Sequence, residues 1–355
     1  MDSLQKESPF ETVHSERTAW IDLLRLFSVF AVVGLHAAVP VVLGFGRISK
    51  IDWWSGNIID SSVRWSVPVF VMITGALLLN YKRYESFSAF YRKKILRILL
   101  PLLFWSVVYS AMTCLLDFRA HNVVSIKNVI GNFIIGRPYP HLWYLFMLIG
   151  LYALTPLLRW LLRILTELQT TVFTMILVAA GMLFAMFPQT NYETGNCFFL
   201  WSVQFLGYFV LGGVAFKKRL WEKINKNILI CFYCISVAVT ATGCWYLSTT
   251  AYLNAGLMFY NYTSPSVVVM TVAVFSLAAK AERWLSKITV SKEVVNTTLG
   301  IYLIHPLILF VLFYFKIGSN FTSLLTIFIT GIISFILSLA ATLLFQRIPF
   351  LRQTV

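Results

Sequence analysis

WIDLLRLFSVFAVVGLHAAVPVVLGF, residues 20–45, decides the fold, because 26 consecutive residues carry only two charges, Asp22 and Arg25. As a helix rising 1.5 Å per residue, this stretch reaches about 39 Å, beyond the roughly 30 Å of a bilayer's hydrocarbon core. Nine further apolar blocks follow, near 61–80, 95–116, 143–165, 171–187, 198–216, 228–248, 265–282, 297–315 and 321–345. The chain therefore reads as an all-α polytopic bundle of about ten transmembrane helices. No internal repeat or low-complexity linker divides it, so 1–355 is read as one integral-membrane domain. Residues 1–19 form a short leading segment and 20–345 the bundle.

Composition agrees. Of 355 residues, 59% are hydrophobic and 12% charged, about half the charged share of a soluble domain. That leaves too little polar surface to cover a globule in water. The net charge of +15 does not point to nucleic acid, because the charges lie between apolar blocks instead of forming one patch. The leading segment mixes Glu7, Glu11 and Glu16 with Lys6 and Arg17. It lacks the basic start of a signal peptide, and the first helix is expected to stay in the mature protein. Cys231 and Cys234, with no second pair or nearby His, make a poor metal site. The five cysteines are read as small apolar residues, and no metal is expected.

Lys and Arg alternate between the two sides of the predicted bundle by roughly three to one. The rich side holds Lys82, Arg83, Arg92–Arg97, Lys217–Lys226, Lys280–Lys292 and Arg347. This places both termini in the cytoplasm, and losing or adding one span would scramble the pattern.

Charges inside apolar spans are costly and mark cavities or sites. Asp22 and Arg25 are three apart, close enough for an ion pair on a helix. Arg25 and His36 are eleven apart, hence on one face and about 16 Å apart along the axis. Two readings stand: a polar track leading inward to His36, or an Asp–Arg staple with an interfacial His. Lys93, Lys94 and Arg97 precede the third span. They serve either as a topology signal or as a cationic mouth for a phosphorylated ligand. Arg64 stands at the outer end of the second span, and His141, followed by Leu-Trp143, opens the fourth. His305 lies near the middle of the ninth, before Pro306, whose missing N–H frees a carbonyl four residues earlier.

Together these stretches resemble the acyltransferase-3 family of ten-helix membrane acyltransferases. Trp20-Ile-Asp22-Leu-Leu-Arg25 with His36 fits that family's Arg-x10-His motif. Val67-Pro68-Val-Phe-Val-Met-Ile-Thr74-Gly75, His141-Leu-Trp143-Tyr-Leu and Gly300-Ile-Tyr-Leu-Ile-His305-Pro306 are similar to other family signatures. The short length resembles the single-domain branch that includes the enterobacterial common antigen O-acetyltransferase. Lys93-Lys94-Ile-Leu-Arg97 departs from the family's Arg-Arg-x-x-Arg, keeping charge but losing two planar forks.

The resemblance implies acetyl-CoA as cytoplasmic donor and a glycan or lipid-linked sugar as acceptor, in the bacterial inner membrane. It implies His36 as general base, or alternatively as the carrier of an acetyl-imidazole. Asp22 and Arg25 would hold the first helix and the donor's path, with Lys93, Lys94 and Arg97 near CoA. Arg64, His141, Trp143 and His305 would face the acceptor or the oxyanion. A transporter or flippase of the same fold is the competing reading, and it would leave the thioester intact.

Overall fold

A computed structural model describes residues 9–80, 87–121, 126–186 and 198–355, and among these the chain is helical without any strand. The order is α1 (Pro9–Leu43), α2 (Lys50–Val63), α3 (Ser66–Leu79), α4 (Phe87–Arg119), α5 (Ile126–Ile134), α6 (Trp143–Ile164) and α7 (Glu167–Ala185). Then come α8 (Phe198–Lys218), α9 (Lys226–Thr250), α10 (Leu253–Gly256), α11 (Pro265–Lys280), α12 (Glu282–Leu285), α13 (Lys292–Val295), α14 (Thr298–Tyr314) and α15 (Ser323–Arg347). Among the described residues, nine helical stretches are long and apolar enough to cross a membrane, and α14 is a shorter apolar helix of 17 residues. The all-α polytopic reading of the sequence thus stands, and the predicted span at 297–315 corresponds to this shorter helix. α5 has no buried residue, and its Ile126, Ile130 and Ile134 form an exposed stripe suited to a membrane interface.

Short connections make successive spans antiparallel, and contacts between distant elements mark the two ends. Trp20, Phe216, Trp221 and Phe275 pack ring to ring at one end, with Trp20 and Phe275 centroids 5.3 Å apart. Lys218 and Arg219 adjoin this cluster, so it is called the basic end below. At the far end the Trp53 indole donates to the Val42 carbonyl at 3.0 Å, and the Ser323 amide donates to Asp52 at 3.2 Å.

The second span departs from expectation. It runs over Lys50–Leu79, so Arg64 stands at its middle and not at its outer end. Pro68 is the cause. Proline has no N–H, and its ring crowds the carbonyl four residues earlier, which belongs to Arg64. The helical hydrogen bonding is interrupted at Arg64–Trp65, whose backbone stays in the right-handed helical region, and resumes as α3, where proline is tolerated in the first turn. The eighth span is also longer than the predicted 265–282. The segment from α10 through a 3-10 turn at Leu257–Tyr260 folds back into the bundle, burying Tyr260, Asn261, Tyr262 and Thr263. The Tyr208 hydroxyl donates to the Tyr262 carbonyl at 2.6 Å, and Gln204 Nε2 donates to Thr263 Oγ1 at 2.7 Å.

Inside the bundle, small residues let helices approach, as expected where lipid supplies no hydrophobic drive for helix association. A Cβ on Gly75 would collide with the Phe209 carbonyl, and one on Gly212 with the Met72 backbone. The motif around Thr74-Gly75 therefore seats α3 on α8, and the Thr74 hydroxyl donates back to its own helix at Phe70. The outward surface is apolar, including Phe118, Leu168, Met175 and Phe328. Cys231 and Cys234 belong to that exposed surface and not to the core, whereas Cys244 is buried.

Candidate active site

Two imidazoles meet where α1 and α14 pack together. His36 Nδ1 lies 2.9 Å from the Val32 carbonyl oxygen. A carbonyl oxygen can only accept, so Nδ1 carries the proton. His305 repeats the pattern one helix away, with Nδ1 3.0 Å from the Ile301 carbonyl. Its bare Nε2 faces His36 Nδ1 at 3.3 Å. The His36 N–H is therefore shared between Val32 and His305, and His36 Nε2 keeps its lone pair. His305 is fully buried, while His36 retains accessible surface.

His141 stands on the shoulder of α6, its backbone carbonyl accepting from the Tyr302 hydroxyl. Its ring lies edge-on to Tyr109 at 4.9 Å and 6.0 Å from His305. Both ring nitrogens are buried, and among the described residues neither makes a hydrogen bond of full geometry, the Leu303 backbone being the partner nearest to hand. Tyr139 stacks on Tyr109 at 4.2 Å, and burial pushes its hydroxyl above the ordinary tyrosine range.

Arg64 approaches from the break between α2 and α3. Its Nε lies 2.6 Å from Asp60 Oδ1, Nη2 donates to Asp60 Oδ2 at 2.7 Å, and Nη1 donates to the Tyr260 carbonyl at 3.2 Å. The Tyr260 ring sits 4.1 Å from the guanidinium carbon, and Tyr262 lies 5.8 Å away. Tyr262 in turn stacks on Trp143 at 5.8 Å. Arg64 is within electrostatic range of His36. Arg64, His141, Trp143 and His305, scattered over the sequence, thus share one layer with His36.

A second layer lies toward the basic end. Asp22 and Arg25 form a partly exposed ion pair at 3.5 Å. Arg25 and Arg97 both come within electrostatic range of Tyr152, and Lys292 of α13 within range of Asp22. Lys93 and Lys94 belong to α4 by backbone, and their side chains lie outside the described residues. Tyr144, in range of Arg25, reaches the first layer through Tyr302 at 5.3 Å. Among the described residues, no cluster of His, Cys, Asp or Glu could hold a metal ion.

The sequence reading missed Asp60, Tyr260, Tyr262 and Tyr109. Asp60 precedes Arg64 by one helical turn and would have stood out as an intramembrane charge had the second span been started at Lys50. Tyr302 lies within the Gly300–Pro306 stretch, one turn before His305. Tyr260 gave no local signal, since Arg64 reaches it across 196 residues.

Comparison with curated proteins and with solved structures finds no match. A family model described as an acyltransferase domain matches residues 18–344, from just before α1's apolar stretch almost to the end of α15 and across both layers of the site. The chain belongs to the acyltransferase-3 family and is a multi-pass membrane acyltransferase.

Proposed function

We propose that this acyltransferase moves an acetyl group from acetyl-CoA to a hydroxyl of a cell-envelope glycan or lipid-linked sugar. The setting is the bacterial inner membrane, with the basic end and both termini cytoplasmic. The observation that carries the reading is the His36 imidazole, whose Nδ1–H is tied to Val32 and His305 while Nε2 stays available on a partly accessible ring. A neutral imidazole so held can act as a general base.

In this reading Nε2 of His36 takes the acceptor's hydroxyl proton as that oxygen attacks the thioester carbonyl carbon. The carbonyl electrons move to oxygen, where Arg64 N–H groups stabilise the negative charge. When the tetrahedral adduct collapses, the C–S bond breaks, and the thiolate receives the proton from His36. The products are the acetyl ester and free CoA thiol. Buried His141, whose ring lies 6.0 Å from that of His305, hydrogen-bonds the acceptor, and the Trp143 and Tyr139 rings flank it. His305 acts through His36 and not on the substrate, since both its ring nitrogens face groups of the protein.

The basic layer suits the donor. Arg25, Arg97 and the Lys93–Lys94 pair supply cations for its phosphates, and Asp22 orients Arg25. The arm between those phosphates and the sulfur has roughly the backbone length of four to five residues, about 15 Å extended. That matches the roughly 16 Å that separates Arg25 from His36 on α1.

The test is turnover of radiolabelled acetyl-CoA by the purified protein in detergent, wild type beside His36→Ala. Thioester cleavage by wild type alone is the expected result. Full activity in His36→Ala would remove His36 from the chemistry, and an inert wild type that still binds CoA would shift the reading to transport.

A further inference from the structure

We propose that Asp60 is a positioning residue for acyl transfer: it clamps the Arg64 guanidinium so that its remaining N–H groups serve the reaction centre at His36. The inference rests on the acetyl-transfer reading above and assigns a role to a residue outside the motifs that suggested it.

The geometry is that of a clamp. A guanidinium has five N–H groups. One on Nη2 donates to Asp60 Oδ2 at 2.7 Å and one on Nη1 to the Tyr260 carbonyl at 3.2 Å, while Nε lies 2.6 Å from Asp60 Oδ1 as an ion-pair contact without a hydrogen bond. Each terminal nitrogen keeps one further N–H. The Tyr260 ring covers the guanidinium at 4.1 Å, which restrains its tilt as well as its swing.

Asp60 can hold Arg64 still because it is itself held. It is 1% exposed, on the turn of α2 that is pinned to α9. One turn earlier, Asn57 Nδ2 donates to the Ala241 carbonyl at 3.0 Å. Asn57 Oδ1 accepts from the Tyr260 hydroxyl at 2.6 Å and from Ser61 at 3.2 Å. The segment that stacks on Arg64 therefore also ties down the helix that carries Asp60. The interruption at Arg64–Trp65, which Pro68 causes from the first turn of α3, separates this clamp from α3, so Arg64 is aimed by α2.

Charge gives the second part of the argument. His36 becomes a cation when it accepts a proton, within electrostatic range of Arg64. A lone guanidinium there would oppose that step. Paired with Asp60 it offers N–H donors to a developing oxyanion while adding little net charge to the layer.

The decisive experiment is chemical rescue in the full-length purified protein. Wild type, Asp60→Asn, Asp60→Glu, Arg64→Ala and the double variant Asp60→Asn/Arg64→Ala are assayed for acetyl-CoA turnover, donor KM and thermal midpoint. Guanidinium is added as the free ion. Asp60→Asn is expected to lower kcat about 10²-fold, the scale of losing one oxyanion donor, with donor KM unchanged and partial recovery in Asp60→Glu. Guanidinium is expected to raise the activity of Arg64→Ala about tenfold or more and to do nothing for the double variant. The double variant holds no unpaired buried charge, so it keeps the question answerable where Asp60→Asn fails to fold. Equal rescue of both Arg64→Ala proteins, or an unchanged kcat in Asp60→Asn, would overturn the role of Asp60 while leaving the acetyl-transfer reading intact. A wild type that consumes no acetyl-CoA would overturn both.

Discussion

His36 and His305 face each other, and replacing each in turn decides which imidazole does the chemistry. The contact between them is 3.3 Å and shares one N–H that Val32 already holds at 2.9 Å. Removing His305 therefore costs His36 the weaker of two restraints. A buried neutral hydrogen bond is worth about 0.5–1.5 kcal/mol net, and about 1.4 kcal/mol corresponds to tenfold in rate. His305→Ala is expected to lower kcat roughly 2- to 12-fold with donor KM unchanged. His36→Ala removes the base itself, a loss of about 10²- to 10⁴-fold. His305 is fully buried, so its truncation also lowers the thermal midpoint, and turnover is normalised to the folded fraction from size exclusion. Equal losses in the two variants would refute the assignment, because the pair would then act as one unit. A larger loss in His305→Ala would make His305 the base.

Two further outcomes follow from the backbone. Gly75→Ala forces a Cβ into the Phe209 carbonyl on α8 and is expected to cost about 3 kcal/mol. Gly34→Ala meets nothing within 4 Å and gains about 1 kcal/mol of helix propensity; thermal melts in detergent that fail to separate the two would contradict the packing described for α3 and α8. Pro68→Ala returns an N–H donor to the Arg64 carbonyl and lets α2 and α3 join. Its thermal midpoint should hold or rise while kcat falls, by up to about 10²-fold for a group misplaced by about 1 Å. An unchanged kcat would mean that the break does not aim Arg64.

The intramembrane prolines show how much of the site lay in the open. Pro40, Pro68, Pro101 and Pro306 each stand four residues after His36, Arg64, Arg97 and Tyr302. Each removes the helical donor that the carbonyl of a site residue would have used. The sequence reading used this signal only at Pro306. At Pro68 it would have exposed the helix break and drawn the second span back toward Lys50, with Asp60 inside it.

The sequence by itself determined the helical membrane class and singled out most of the polar residues that the fold brings together. Crossing a hydrocarbon layer demands long apolar runs, and the cost of a charge there makes each exception visible one residue at a time. What only the tertiary structure decided was partnership. Which imidazole backs the other, which carboxylate holds Arg64, and that Tyr260 seals both depend on helices brought together from distant parts of the chain. Hydrogen-bond direction and burial arise from that packing, and no local pattern encodes them.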